Sequence, residues 1–268
     1  MAFMDATLRF LGTGTSMGVP TLGCRCAVCV SSDAHDRRLR PSVALRWKDG
    51  EETERVVVID TGPDFRQQAL QANLQRVDAV FYTHGHADHV LGMDDLRPYS
   101  FAAFRRKGEP IPLYAGSETT EVLRRIFDYT FSAHATYPTR AKVQLVPLAE
   151  HNHVHGVEFI RIPLLHGQLE ISGFRFGNAA YLTDVSAIPE SSFDLLQGVE
   201  VLVISALRHE PHPSHATVEQ AVAWAKRIGA RQTWLTHIAH DLGHEETNCA
   251  LPEGVRLAYD GLSVPVSI

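Results

Sequence analysis

Apolar positions along this chain follow two periods. Short runs that alternate, or that fill with β-branched and aromatic residues, predict strands over residues 7–11, 42–47, 55–59, 77–82, 112–114, 143–146, 157–162, 171–176, 179–182, 199–204 and 232–235. Segments with apolar residues three and four apart predict helices over 64–73, 94–104, 117–129, 190–196 and 217–228. The last of these places Val218, Ala221, Val222 and Ala225 on one face. The start is β-rich and helices then intersperse with strands, which predicts an α/β architecture with outer-layer helices. No Pro/Gly/Ser-rich linker, repeat or like-charge run divides the sequence, so residues 1–268 are expected to form one domain around one core. Residues 150–156 (EHNHVHG) read as a histidine-rich turn.

Composition narrows the function class. Hydrophobic residues make up 44% and charged residues 21%, as in a globular chain rather than a disordered one. A net charge of −6 argues against affinity built by blanketing a nucleic-acid backbone with Lys and Arg. Asp5 and Arg9 interrupt the short apolar stretch near the N-terminus, so neither a signal peptide nor a membrane span is expected there, and the cytoplasm is the expected location. The 15 histidines gather near Gly and Asp at strand ends rather than in a tag, which points to metal.

The strand ending at Thr83 runs directly into His84, His86, Asp88 and His89, four ligand-type side chains within six residues. Neutral imidazole suits Zn or Mn, and carboxylate oxygen is needed where two ions are bridged or their charge balanced. This run resembles the signature of the metallo-β-lactamase superfamily, His-x-His-x-Asp-His after a strand, and the likeness takes in nearly the whole chain. It implies an αββα sandwich of two mixed sheets flanked by helices. The superfamily's later ligands stand singly at strand ends, and here His166 comes after the strand ending at Leu164, Asp184 follows Ala-Tyr-Leu-Thr, and His237 follows Trp-Leu-Thr. The resemblance implies one divalent ion, Mn or Zn, on His84, His86 and His166, a second on Asp88, His89 and His237, and Asp184 bridging them. It implies for Asp60, which precedes Thr61-Gly62, an orienting role rather than ligation. Asp60 also suits the N-cap of a helix beginning near Asp64.

Cys24, Cys26 and Cys29 lie too close together for all three to pair as disulfides. Such spacing reads as a structural zinc site lacking one ligand, with a disulfide plus a free thiol as the alternative. The GC-x-C-x-x-C run resembles the phosphoribosyl cyclic phosphodiesterases of the carbon–phosphorus lyase pathway, a branch of the same superfamily. In that branch the fourth zinc ligand is a histidine three residues after the last active-site histidine, which here is His240. The resemblance thus implies a structural zinc on Cys24, Cys26, Cys29 and His240, in a loop over about residues 20–40, with Cys249 left as an ordinary thiol. Pyrroloquinoline quinone biosynthesis proteins carry a similar run, so this site alone names no reaction. Gly12, Gly14 and Gly18 match neither a dinucleotide fingerprint nor a Walker A loop and read as tight-turn residues at the family's strand-to-loop entry.

The narrower resemblance implies hydrolysis of a small cyclic phosphodiester, 5-phosphoribosyl 1,2-cyclic phosphate, by two-metal-activated hydroxide, with Asp88 and Asp184 in that catalytic centre. The leaving alkoxide needs a proton, and the branch has a histidine general acid where His215 stands, in HEPHPSHAT before a helix. A local hydrogen bond at the helix start is the other use for His215; His209 and His212 compete less well. Arg97, in GMDDLR, suits either a substrate phosphate or an ion pair with Asp94 or Asp95. A small-molecule phosphodiester is the expected partner, neither nucleic acid nor membrane is, and a homodimer is compatible with the sequence. A tRNA 3′-processing nuclease shares the fold and the signature but needs a basic arm that this acidic chain lacks. A non-catalytic cofactor-biosynthesis or carrier protein also shares the fold, and the complete ligand set argues against it.

Overall fold

In the computed structural model, which describes residues 4–132 and 137–268, the first half of the chain builds one sheet and the second half another. Strands β1 (Asp5–Gly12), β2 (Ser42–Lys48) and β3 (Glu54–Ile59) form an antiparallel meander, and α1 (Phe65–Gln71) returns the chain to β4 (Ala79–Phe81), parallel to β3. The short helix α2 (Ala87–Val90) and then α3 (Arg97–Lys107) lead to β5 (Ile111–Ala115). Helices α4 (Ser117–Ile126) and α5 (Asp128–Phe131) lead to β6 (Val143–Pro147), and both strands continue the parallel half. The second sheet repeats this plan. Antiparallel β7 (His151–Val154), β8 (Val157–His166), β9 (Leu169–Phe176) and β10 (Ala179–Leu182) precede α6 (Glu190–Leu195) and parallel β11 (Val201–Ser205). Helices α7 (Val218–Ile228) and α8 (His244–Ala250) then deliver β12 (Gln232–Thr236) and β13 (Val255–Leu257), and β14 (Ser263–Ser267) crosses back to pair with β1. Among the described residues each sheet therefore has seven strands and mixed polarity, in the order β14-β1-β2-β3-β4-β5-β6 and β13-β12-β11-β10-β9-β8-β7.

Burial on both faces is written into the central strands. In β3, Val57 and Ile59 point between the sheets while Val56 and Val58 face the helices outside; in β11, Val201 and Val203 face inward and Leu202 and Ile204 outward. A strand covered on both faces has no polar side, which explains its unbroken apolar run. The inter-sheet core closes on Phe81, stacked on Tyr114 at 4.5 Å and on Phe159 at 4.6 Å. Outside, α1 and α4 cover the first sheet with Phe65, Ala69 and Leu123, and α7 covers the second with Val218, Ala221 and Ala225. Each fully buried Val, Leu or Phe contributes about 1.5–3 kcal/mol, in the outer layers as between the sheets. Helix α7 starts on a capping box in which the Gln220 N–H donates to Thr217 Oγ1 and the Thr217 N–H donates back to Gln220 Oε1. This is the αββα sandwich with helices on both outer faces. Among the described residues no helix is long and apolar enough to cross a membrane.

Two expectations change. Residues 150–156 are not simply a turn: His151–Val154 form edge strand β7, and only His155 and Gly156, at φ 47° and 85°, make the reversal into β8. The imidazoles of His151 and His153 point outward while Asn152 and Val154 are buried, an alternation that the polar composition disguises. Gly12 and Gly14 are close-approach residues rather than turn residues, because a Cβ on them would meet Arg40 O at 2.0 Å and Arg38 O at 2.8 Å. Gly18 alone of the three has a positive φ, 66°.

Candidate metal centre

Five strands end at one rim of the sandwich and each delivers a polar residue there. Asp60 follows β3, Thr83 and His84 follow β4, His166 closes β8, Asp184 follows β10 and His237 follows β12. Asp60, Asp184 and His237 have φ of 64°, 60° and 55°. Left-handed backbone is uncommon outside glycine and costs about 1–2 kcal/mol per residue. Three such residues on one rim locate the site through backbone strain, because the reversal turns each side chain into the gap between the sheets.

Two groups of donors converge there: His84, His86, His166 and Asp184, and Asp88, His89, Asp184 and His237. In each group the ligand atoms lie within 4.8 Å of one another. Asp184 belongs to both. Its Oδ1 is 3.2 Å from His237 Nε2, and its Oδ2 is 3.4 Å from His89 Nε2 and 3.7 Å from His84 Nε2. All these residues are buried except His86. Asp88 Oδ2, His89 Nε2 and both ring nitrogens of His237 are buried with no hydrogen-bond partner. Orphaned buried polar atoms are costly, and divalent ions would satisfy Asp88 Oδ2, His89 Nε2 and the His237 Nε2 that faces Asp184, so the donor set fits a dinuclear centre. Burial pushes the pKa of His84 well below its ordinary value, as does the neighbouring His89. Burial alone would also lower His89, but Asp184, Asp88 and Asp60 hold it well above.

The ring orientations agree with that use. His89 Nδ1 lies 2.7 Å from Asp60 Oδ2, which fixes the proton on Nδ1 and turns Nε2 toward the centre. His166 Nδ1 donates to Ser214 O at 2.7 Å, leaving its Nε2 free in the same way. Asp60, wholly buried, also accepts from the Thr83 N–H at 2.9 Å and the Thr83 hydroxyl at 2.8 Å. The helix-cap use is not realised: the N-cap position of α1 is Asp64, and the Asp60 side chain is spent on His89 and Thr83. Asp60→Asn is expected to weaken metal at the His89 position by about 10–100-fold, because an amide has one oxygen and must turn its own N–H on either the Thr83 N–H or the His89 Nδ1–H. Chelator competition checks this, and unchanged affinity would remove the orienting role. The loop bearing Asp60 is clamped to α2 by glycine. The Thr61 N–H donates to His89 O at 2.8 Å and the Gly92 N–H to Thr61 O at 2.8 Å. A Cβ on Gly62 would meet Asp88 O at 2.0 Å, and one on Gly92 would meet Gly62 O at 2.0 Å.

His215 lies at the mouth of this centre, its ring stacked on His237 at 4.7 Å and packed on His166 at 4.6 Å. Burial, with His237 beside it, pushes its pKa down to about 3, and its Nδ1 has no partner. His212 packs 5.0 Å from His215, whereas His209 points away and pairs with Glu219. Arg97 is 3.2 Å from Asp94 and 3.4 Å from the Tyr137 hydroxyl, which is the ion-pair arrangement.

Cys24, Cys26, Cys29 and His240 form a second, separate cluster. No disulfide joins the cysteines, and His240 Nδ1 lies 3.3 Å from both Cys24 Sγ and Cys26 Sγ. A tetrahedral zinc holds its sulfur and nitrogen ligands about 3.6 Å apart, so this set fits one closed site. The Cys29 N–H and then His240 lower the Cys26 pKa to about 6, readying a thiolate, while burial pushes Cys29 up to about 11. Cys249 is exposed and apart. Sequence reading missed Arg38, which is 1% exposed and donates to Ala239 O at 3.0 Å, Leu242 O at 2.7 Å and Asp36 Oδ1 at 3.0 Å. It thereby pins the segment that carries both His237 and His240. Its only signal is a place among the arginines of residues 37–40, and nothing local distinguishes it from its exposed neighbour Arg37.

Fold and site together define a metallo-hydrolase. A family model described as a beta-lactamase superfamily domain matches residues 55–238, and the chain belongs to that superfamily. Within it, a crystal structure described as a new diphosphatase from the PhnP family is similar at 50% identity over 99% of both chains, with a TM-score of 0.91. An octanoyltransferase of Porphyromonas gingivalis is 36% identical over 94% of this chain but over 50% of its own length. Coenzyme PQQ synthesis protein B of Methylorubrum extorquens is 34% identical over 130 residues, 44% of this chain and 40% of that protein. This chain thus spans half or less of the length of these two curated relatives.

Proposed function

We propose that this protein hydrolyses a small phosphodiester, with phosphoribosyl 1,2-cyclic phosphate as the leading substrate. The observation that carries this is the single carboxylate Asp184 shared by two otherwise complete donor sets. Two divalent ions bound there, Mn or Zn, would supply an activated water and neutralise charge on phosphoryl oxygens. Asp88 brings a second carboxylate to one side only, balancing the charge of that position. The similarity to a PhnP-family structure described as a diphosphatase supports phosphorus as the reacting centre. In a substituted diphosphate, as in a phosphodiester, the scissile phosphorus carries two bridging oxygens.

The remaining chemistry falls to the chain itself. His166 is held by Ser214 O, the residue next to His215, so the donor set and the proposed acid are positioned by one loop. His215 gives the leaving oxygen its proton. With its pKa held low at rest, it must first take up a proton from solvent as the anionic phosphate arrives beside it and raises its proton affinity, and that is the proton it passes on. Beside His84 and His86 opens a cleft of about 1290 Å³, lined further by Ser117, Thr120 and Arg124, with ample room for a small-molecule substrate. The chain's net charge of −6 supports a small substrate over tRNA.

The test is hydrolysis of bis-p-nitrophenyl phosphate, a ribosyl cyclic phosphate and a dinucleoside diphosphate by metal-depleted protein reloaded with Mn or Zn. Turnover of the cyclic phosphate is expected; metal-dependent turnover of none of the three would refute the reading. His215→Ala is expected to slow the alkoxide-leaving substrate about 10²–10⁴-fold and the nitrophenyl ester far less, since nitrophenolate leaves without a proton. Equal losses on both would show that His215 is not the acid.

A further inference from the structure

Among the described residues, a further group of metal-type ligands converges away from both clusters above: His35, His244 and Glu245, with ligand atoms within 4.8 Å of one another. His35 belongs to the 3-10 turn Ala34–Asp36 that follows the cysteine loop, and His244 and Glu245 open α8. The two rings stand 4.5 Å apart, the same separation as His84 and His86 in the dinuclear centre. His244 is only 5% exposed, and its Nδ1 is buried with no hydrogen-bond partner. Its position is fixed through its backbone N–H, which donates to Asp36 Oδ1 at 2.9 Å. Asp33 Oδ1 accepts from the His35 backbone N–H at 2.9 Å and lies 3.5 Å from its Nδ1, so His35 is held through its backbone as well. Tyr259 packs against both rings, at 4.2 Å and 5.8 Å, and walls one side. The carboxylate of Glu245 is on the exposed side.

We propose that His35, His244 and Glu245 bind one additional divalent cation of the zinc class. Two imidazoles and a carboxylate are a donor set that zinc accepts with a fourth position left to water. One exposed ligand and an open position make the site exchangeable, unlike the closed cysteine cluster. The ion joins the turn at Ala34–Asp36 to α8, segments that directly follow the cysteines and His240, so its binding stiffens the same rim from a second point.

Equilibrium dialysis of the full chain against a zinc series, with thermal melts at each concentration, tests this. One exchangeable equivalent is expected beyond those lost in Asp184→Asn and Cys26→Ser, together with a rise in melting temperature at the same zinc concentration. His35→Ala, at a half-exposed position, and Glu245→Gln, on the exposed start of α8, should each lose that equivalent and that rise while keeping wild-type hydrolysis. Wild-type protein with no extra equivalent would overturn the site, as would a His35→Ala variant that still binds it. Hydrolysis is measured separately, so failure of the proposed reaction leaves this result readable.

Discussion

Asp184→Asn is expected to lower kcat/KM by at least about 10³-fold and to deplete metal at both positions of the dinuclear centre. The substitution preserves size and removes only charge. Asp184 is 2% exposed, takes a hydrogen bond from the Thr183 hydroxyl at 2.9 Å and faces His84, His89 and His237 with its two oxygens. Those histidines hold its pKa well below the usual carboxylate range against the upward push of burial. An amide keeps the Thr183 contact yet presents N–H where one of the facing lone pairs must go. Losing Asp88 removes a ligand from one donor set, whereas losing Asp184 removes one from both, so the Asp184 effect should be the larger. Metal analysis beside the rate measurement checks this. An Asn variant with full metal and activity within tenfold of wild type would show that the shared carboxylate is not central.

Much of this centre is legible in the sequence because its parts are local. Tyr82-Thr83-His84, Leu182-Thr183-Asp184 and Leu235-Thr236-His237 repeat one pattern, an apolar strand end, a threonine and a ligand, and all three threonines are buried. The cluster from His84 to His89 is compact because α2 winds Asp88 and His89 back under the strand end. What sequence reading could not supply depends on distant partners. Positive φ at Asp60, Asp184 and His237 leaves no compositional mark as glycine would. Asp260 is recognisable only once the fold brings it to Thr13 and Leu39, where it accepts three hydrogen bonds at 2.7–2.9 Å. Strand β14 hides behind Pro265, a residue that reads as a breaker; an edge strand tolerates it because Val264 and Val266 still alternate into the core. Helix α8 has no apolar stripe, since its buried residues are His244 and Thr247.

Cys26→Ser should remove one equivalent of zinc and lower the melting temperature by roughly 10 °C, from a loss of a few kcal/mol at about 2–4 °C per kcal/mol for a chain of this size. Serine fits the space but is a poor zinc ligand, and Cys26 is the thiol that also reaches His240 O, at 3.6 Å. The effect should extend to catalysis. His240 stands three residues from His237, and the intervening Ile238 exchanges hydrogen bonds with the loop after β1, its N–H donating to Thr13 O at 2.9 Å and its O accepting from the Thr15 N–H at 3.2 Å. With Arg38 holding Ala239 O from the other side, the cysteine cluster is one of three ties that position His237. Its loss should therefore slow turnover moderately and weaken metal at the His237 position, while His84, His86 and His166 keep their ion. Zinc stoichiometry separates this from simple destabilisation. A variant that melts early but retains its zinc would contradict the cysteine–histidine site, and one that loses zinc without any change at the His237 position would show that the two centres are independent.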